Sequence, residues 1–141
     1  DDVAQRRSER CAELVVLDER ASDYHSMIRL TVTAEQYTRS ITGTLFGGKH
    51  PRIVDIKGIE IEAEFAPHML YITNDDKPGF IGRLGTLLGE SKVNIATFHL
   101  GRDKPGGSAI ALVQVDQPLS AELTAKIAGL ESVVQAKALG F

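Results

Sequence analysis

Cysteine is all but missing from this chain. Cys11 stands alone, so no internal disulfide can close and no thiolate cluster can hold a metal. A lone thiol suits a reducing compartment, and a cytoplasmic protein is the expectation. Long apolar runs are missing too. None approaches the roughly 18 residues a membrane helix needs, and no basic-then-apolar leader opens the chain, so no membrane partner is expected. There is no surplus of basic charge: 16 Lys+Arg stand against 19 Asp+Glu, a net charge of −3. Divided after Ala66, the first part holds 9 Lys+Arg and 12 Asp+Glu, the second 7 of each. Phosphate backbones are bound by clustered positive charge, so nucleic acid is not expected as a partner. Met27 and Met69 are the only methionines and Asp1 comes first, which suggests a piece of a longer or processed protein.

What is present reads as a globular chain. It has 141 residues, 43% hydrophobic and 25% charged, enough for one medium domain or two small ones. The break is expected near Ala66-Pro67-His68, giving domains at 1–66 and 67–141. The first domain opens with a polar stretch from Asp1 to Arg10, a short helix or a frayed end. Ser26 to Val32 alternates polar and apolar, the period of a half-buried strand. Tyr37 to Phe46 repeats it. Ile53, Ile56, Ile59 and Ile61 lie on a shorter pair bent at Lys57-Gly58. A mostly antiparallel α+β domain is expected.

The second domain is patterned more sharply. Met69 to Thr73 reads as a strand, and Asn74 to Gly79 as a loop with helix-start residues. Phe80, Ile81, Leu84, Leu87 and Leu88 recur at helical spacing. Gly82, Gly85 and Gly89 fall on one side of that helix, which would let it lie close to a neighbour. Strands follow at Val93–Leu100 and Ser108–Val115, with a Pro/Gly turn from Arg102 to Gly107 between them. A second helix begins at Pro118-Leu119-Ser120 and carries Leu123, Ile127 and Leu130. Val133 to Leu139 is the last strand. The order βαββαβ is ferredoxin-like. Its four-stranded sheet has two open edges, and pairing with a second copy would cover one, so a homo-oligomer is expected.

Gly43 to Lys49 nearly matches a phosphate-binding P-loop. His50 stands where Ser or Thr should hold magnesium, and Pro51 follows where a helix should run; a glycine turn between strands is the better reading. Gly79, Gly82 and Gly85 are not the Gly-x-Gly-x-x-Gly of a dinucleotide turn, so no NAD is expected on this chain. His25, His50, His68 and His99 lack the spacing of helical metal ligands, and no metal is expected. Ser108 sits in Gly-Gly-Ser-Ala rather than a nucleophile elbow. No catalytic residues are expected.

Two groups remain as binding candidates. Lys49, Arg52 and Lys57, with His50, make a basic cluster around a turn. It is a solvated hairpin or a small-anion site, since guanidinium and ammonium groups bind phosphate or carboxylate. The loop Asn74 to Gly79 precedes a helix whose free N–H groups suit a carboxylate. Asn74 and Asp76 offer acceptors for an ammonium, and Asn94 offers both donor and acceptor. These are the groups an amino-acid zwitterion needs. The alternative is that Asp76 only caps the helix and Asn94 only satisfies backbone. Chemistry alone leaves the two even.

Asn74-Asp75-Asp76-Lys77-Pro78-Gly79, the glycine-rich helix and Val93-Asn94-Ile95-Ala96 resemble the first half of an ACT domain. The resemblance is closest to the ACT domain of D-3-phosphoglycerate dehydrogenases. Pro51 to Gly58 and Ile81 to Gly89 resemble the long form of that enzyme, in which an intervening allosteric substrate-binding domain precedes the ACT domain. The resemblance covers about 27–141 and is specific over 51–100. It implies the carboxy-terminal regulatory part of an enzyme that oxidises 3-phosphoglycerate with NAD in the first step of L-serine synthesis. It implies ACT domains paired side by side, with L-serine held at their interface as feedback inhibitor. The implied serine contacts fall on Asn74, Asp76 and Asn94, with the carboxylate near Gly79 and Phe80. Arg52 takes the place of one basic residue of the family's anion site, while Glu64 stands where another is expected. The same architecture would also serve the β part of a bacterial L-serine dehydratase, or a stand-alone amino-acid sensor.

Overall fold

The structure, a computed structural model, describes residues 10–17 as backbone and residues 26–141 in full. The polar stretch before Arg10 lies outside the described residues. Two compact units part between Gly58 and Ile59.

The first unit is an antiparallel meander. Strands β1 (Arg10–Leu17), β2 (Met27–Ala34), β3 (Tyr37–Phe46) and β4 (His50–Ile56) pair in sequence order. Strand β1 is an addition to the sequence reading. Gly47 and Gly48 both have positive φ, 57° and 69°, and Lys49 N–H donates to the Phe46 carbonyl at 3.1 Å. That is the two-residue turn whose twist suits a hairpin. The near-match to a P-loop is therefore a hairpin turn. Pairing shifts by one residue between Thr42 and Gly43, the signature of a bulge. Thr42 and Thr44 are buried and paired: Thr42 Oγ1 accepts from Arg29 Nε at 3.2 Å, and Thr44 donates to the Ser26 carbonyl.

The second unit begins with β5 (Ile59–Glu64), reached through the Lys57-Gly58 turn. Then come β6 (His68–Asp75), α1 (Phe80–Glu90), β7 (Ile95–Arg102), β8 (Ser108–Val115), α2 (Ala121–Ala128) and β9 (Val133–Gly140). The last four strands form an antiparallel sheet in the order β7-β8-β6-β9, the ferredoxin-like arrangement.

Both helices cover one face of this sheet. Phe80, Leu84 and Leu88 recur every four residues along α1 and are buried. They meet Leu70 and Ile72 of β6, Ala111, Val113 and Val115 of β8, and Leu123 and Ile127 of α2. A fully buried side chain of this size contributes roughly 1.5–3 kcal/mol, so this cluster is the main stabilising element of the unit. Ser120 caps α2 by accepting from Leu123 N–H at 3.1 Å. The glycines of α1 do not serve close packing within the protomer. Nothing lies within 4 Å of the place a Cβ would take at Gly82, Gly85 or Gly89.

On the opposite face, β5 covers the β7–β8 side. Ile59, Ile61 and Ala63 alternate inward, and β5 lies against β7 and β8. Gln114 Nε2 donates to the Glu64 carbonyl at 3.2 Å. At Gly101 a side chain would run into the Glu60 carbonyl and into Ile59 and Ile61, so β5 and β7 touch almost backbone to backbone. By this packing β5 belongs to the compact unit Ile59–Phe141. Strands β7 and β9 are the sheet's open edges.

Candidate functional site

The end of β6 delivers Asn74 onto the helix-covered face. Alternation decides this: Leu70 and Ile72 point into the helical core, and Asn74 is the next residue of that parity. It pairs with Ala109 of β8, which pairs on its other side with Arg102 of β7. Asn74, Ala109 and Arg102 thus form one row across the sheet, at the end where α1 begins.

Asn74 is 3% exposed. Its Nδ2 donates to the Asp75 carbonyl at 3.0 Å, while its Oδ1 is buried without a hydrogen-bond partner among the described residues. An unmet buried acceptor of this kind costs about 1–3 kcal/mol, a cost a ligand's donor would remove.

Two backbone bonds fix the loop that follows. Asp75 N–H donates to the Ser132 carbonyl and Asp76 N–H to the Gly107 carbonyl, both at 2.8 Å. The Asp76 carboxylate does not cap the helix. Its Oδ2 accepts from Arg102 Nη1 at 2.8 Å and from Gly106 N–H at 3.0 Å. The Arg102 hydrogen bond, then that of Gly106, holds the Asp76 carboxyl below the usual carboxylate range. The helix starts instead on Gly79, whose φ of 89° lies in the left-handed region and which offers no side chain to cap it. The N–H groups of the first turn point outward without an intrahelical acceptor, which gives this end its positive character.

These groups surround one cavity of about 510 Å³. Asn74, Asp76, Gly79 and Phe80 line it, as do Lys77, Pro78, Ile81, Leu100, Arg102 and Gly106. Four of the five residues singled out for an amino acid are therefore together. Asn94 is not with them. It lies beyond the far end of α1, about 16 Å of helix away, where its Nδ2 donates to Asp116 Oδ2 at 2.7 Å. The sequence reading missed Arg102 and Gly106. Their signal is the pairing of β8 with both β6 and β7, which places the β7–β8 turn beside the β6–α1 loop.

The basic cluster of the first unit is spread out rather than gathered. Lys49 and Lys57 flank opposite ends of β4, and a strand rises about 3.3 Å per residue, so they face different surroundings. Lys57 has its ammonium pKa lowered by burial and then by the nearby Arg39. Arg52 lies over the Phe46 ring, 4.4 Å from its centroid. Its partner across β3 is Thr44, and that of Arg29 is Thr42. The two guanidinium groups, rather than Arg52 with the lysines, are carried on neighbouring rows of one sheet.

Gly82 and Gly85 lie inside α1 rather than in a strand-to-helix turn of the dinucleotide-binding kind. Among the described residues no three His, Cys, Asp or Glu side chains gather as metal ligands. No described helix is long and apolar enough to cross a membrane.

The sequence model of the D-3-phosphoglycerate dehydrogenase intervening domain matches residues 4–57, and that of the ACT domain matches residues 68–132. The chain is 33% identical over 135 residues to the D-3-phosphoglycerate dehydrogenase of Bacillus subtilis (strain 168), covering 96% of this chain and 25% of that protein. It is 33% identical over 120 residues to the protein of that name from Archaeoglobus fulgidus, covering 84% of this chain and 23% of that one. For the one from Synechocystis sp. the figures are 34% over 124 residues, 85% and 22%. The chain thus spans about a quarter of the length of these curated relatives.

Proposed function

The chain belongs to the regulatory region of the D-3-phosphoglycerate dehydrogenase family, an intervening domain followed by an ACT domain, and on that premise we propose that its second unit binds L-serine as a feedback inhibitor. The parent protein would then be the NAD-dependent, cytoplasmic dehydrogenase that opens L-serine synthesis. Its chemistry would lie outside these residues. The match to the intervening domain of the dehydrogenase favours this reading over a serine dehydratase or a stand-alone sensor.

The observation that carries the proposal is the cavity at the uncapped helix start, lined by Asp76 and by Asn74, whose Oδ1 is buried without a hydrogen-bond partner among the described residues. An ammonium donates three N–H bonds and needs acceptors such as these two. A carboxylate suits the N–H groups at Phe80 and Ile81. Asn94 would reach the ligand from a second copy of the chain. Edge strand β7 and the half-exposed Leu100 and Ile81 beside the cavity favour a side-by-side pair, since pairing would cover both the edge and the apolar rim.

Calorimetry of the chain with millimolar L-serine tests this directly. Binding with a stoichiometry tied to a dimer is expected. No heat and no thermal stabilisation, or a strictly monomeric mass at about 100 μM, where modest homodimers form, would sink it.

A second reading concerns the first unit. Arg29 and Arg52, carried beside the buried Thr42 and Thr44, favour a small phosphate-bearing anion there, because guanidinium forks match phosphate oxygens. Such an anion would raise the melting temperature by binding the native state. Equal melts with and without phosphate or phosphoglycerate would remove this reading.

A further inference from the structure

We propose that Arg102 is a specificity-determining residue of the cavity beside α1, taking the ligand's carboxylate and so selecting an α-amino-acid zwitterion over an amine. This rests on the amino-acid reading of the site and names a residue which that reading did not include.

The geometry begins with Asp76. Its Oδ2 already carries two donors, Arg102 Nη1 and Gly106 N–H. A carboxylate has about four lone-pair positions, so Oδ1 remains for an incoming ammonium. Arg102 spends one donor on Asp76. Its other guanidinium N–H groups have no partner among the described residues. Arg102 shares the cross-sheet row of Asn74 and Ala109, and Arg102 and Asn74 line the same cavity.

Charge then decides what fits. Lys77 and Arg102 bring two positive charges to the cavity and Asp76 one negative charge. A simple amine would add a third positive charge to a site that already has an excess. A zwitterion brings its own carboxylate. Ammonium on Asp76, carboxylate on Arg102 and the Arg102–Asp76 pair close a ring of alternating charges, each beside its opposite. The aromatic and aliphatic wall of Phe80, Ile81 and Leu100 keeps the local dielectric below that of water and strengthens this preference.

The test compares L-serine with L-serinamide, which keeps the ammonium and hydroxyl but lacks the carboxylate. Both are titrated against the full chain as wild type, Arg102→Gln and Arg102→Lys. Wild type should prefer serine by about tenfold or more, the worth of a hydrogen bond to a charged group. Arg102→Gln should bring that preference close to unity, and Arg102→Lys should keep part of it. A denaturant melt of each ligand-free variant shows that the fold is intact. An unchanged preference in Arg102→Gln overturns the proposal. So does a loss of serine and serinamide binding in equal proportion, which would mean that Arg102 only steadies Asp76. If wild type binds neither compound, the amino-acid reading itself falls and this one with it. If wild type binds serine and Arg102→Gln binds it equally, only the present proposal falls.

Discussion

Arg102 closes β7 and Asp76 follows β6, yet one nitrogen of the former lies 2.8 Å from one oxygen of the latter. The contact joins the two strand ends that flank β8. Asp76 is thereby held at the cavity and does not cap the helix.

Removal of the Asp76 carboxylate should weaken L-serine binding by about tenfold or more, since a charge-assisted contact is lost. Asp76→Asn, which keeps the shape, should lose nearly as much as Asp76→Ala. Calorimetry on both variants checks this. Wild-type affinity in Asp76→Asn would show that the carboxylate charge is not used.

Acid should affect this contact late. The Asp76 carboxyl titrates below its ordinary value of 3.8 when folded, through Arg102 first and Gly106 second. A lowered carboxyl pKa contributes stabilisation that is complete above the unfolded value and lost as pH falls through the folded one. Stabilisation by serine should therefore be alike at about pH 7 and about pH 5, and should decline only in stronger acid. A decline centred above the ordinary carboxylate value would contradict this assignment.

Asn94 lies a helix length from Asp76 within one protomer, so a dimeric site must take it from the partner. Asp76→Ala and Asn94→Ala chains should each bind serine poorly alone. Mixed and allowed to exchange, they form heterodimers with one intact site, and binding should return in part. Absence of any recovery, with exchange shown by mass, would place Asn94 outside the site.

Gly101→Ala should destabilise the second unit, because the new methyl group meets the Glu60 carbonyl and Ile59. Overpacking of this kind costs about 1–3 kcal/mol. Urea titration reads it directly, and an unchanged midpoint would mean that β5 stands off from β7.

Much of the second unit was legible in the sequence. Its leucine and isoleucine spacing marks α1 and α2, and short apolar runs between turn residues mark β6, β8 and β9. The contiguous part of the site, Asn74 to Phe80, was legible for the same reason: a loop between two clear elements keeps its residues together. Arg102 was not. It enters the site through the pairing of β8 with two strands, and it looks like the opening of a Pro/Gly turn when read along the chain. Lys49, Arg52 and Lys57 are close in sequence, but an extended strand carries Lys49 and Lys57 to opposite ends of β4. The three glycines of α1 were read as contact points because small residues permit close approach, yet spacing alone does not show whether a neighbour is there.

Strand β7 has no side-chain cushion against β5 at Gly101. Arg102 is fastened on one face to Asp76, and the very next residue back, Gly101, bears on the β5 backbone from the other. Side chains normally absorb small movements by changing rotamer, and at Gly101 none intervenes, so a displacement of this end of β7 reaches β5 undamped.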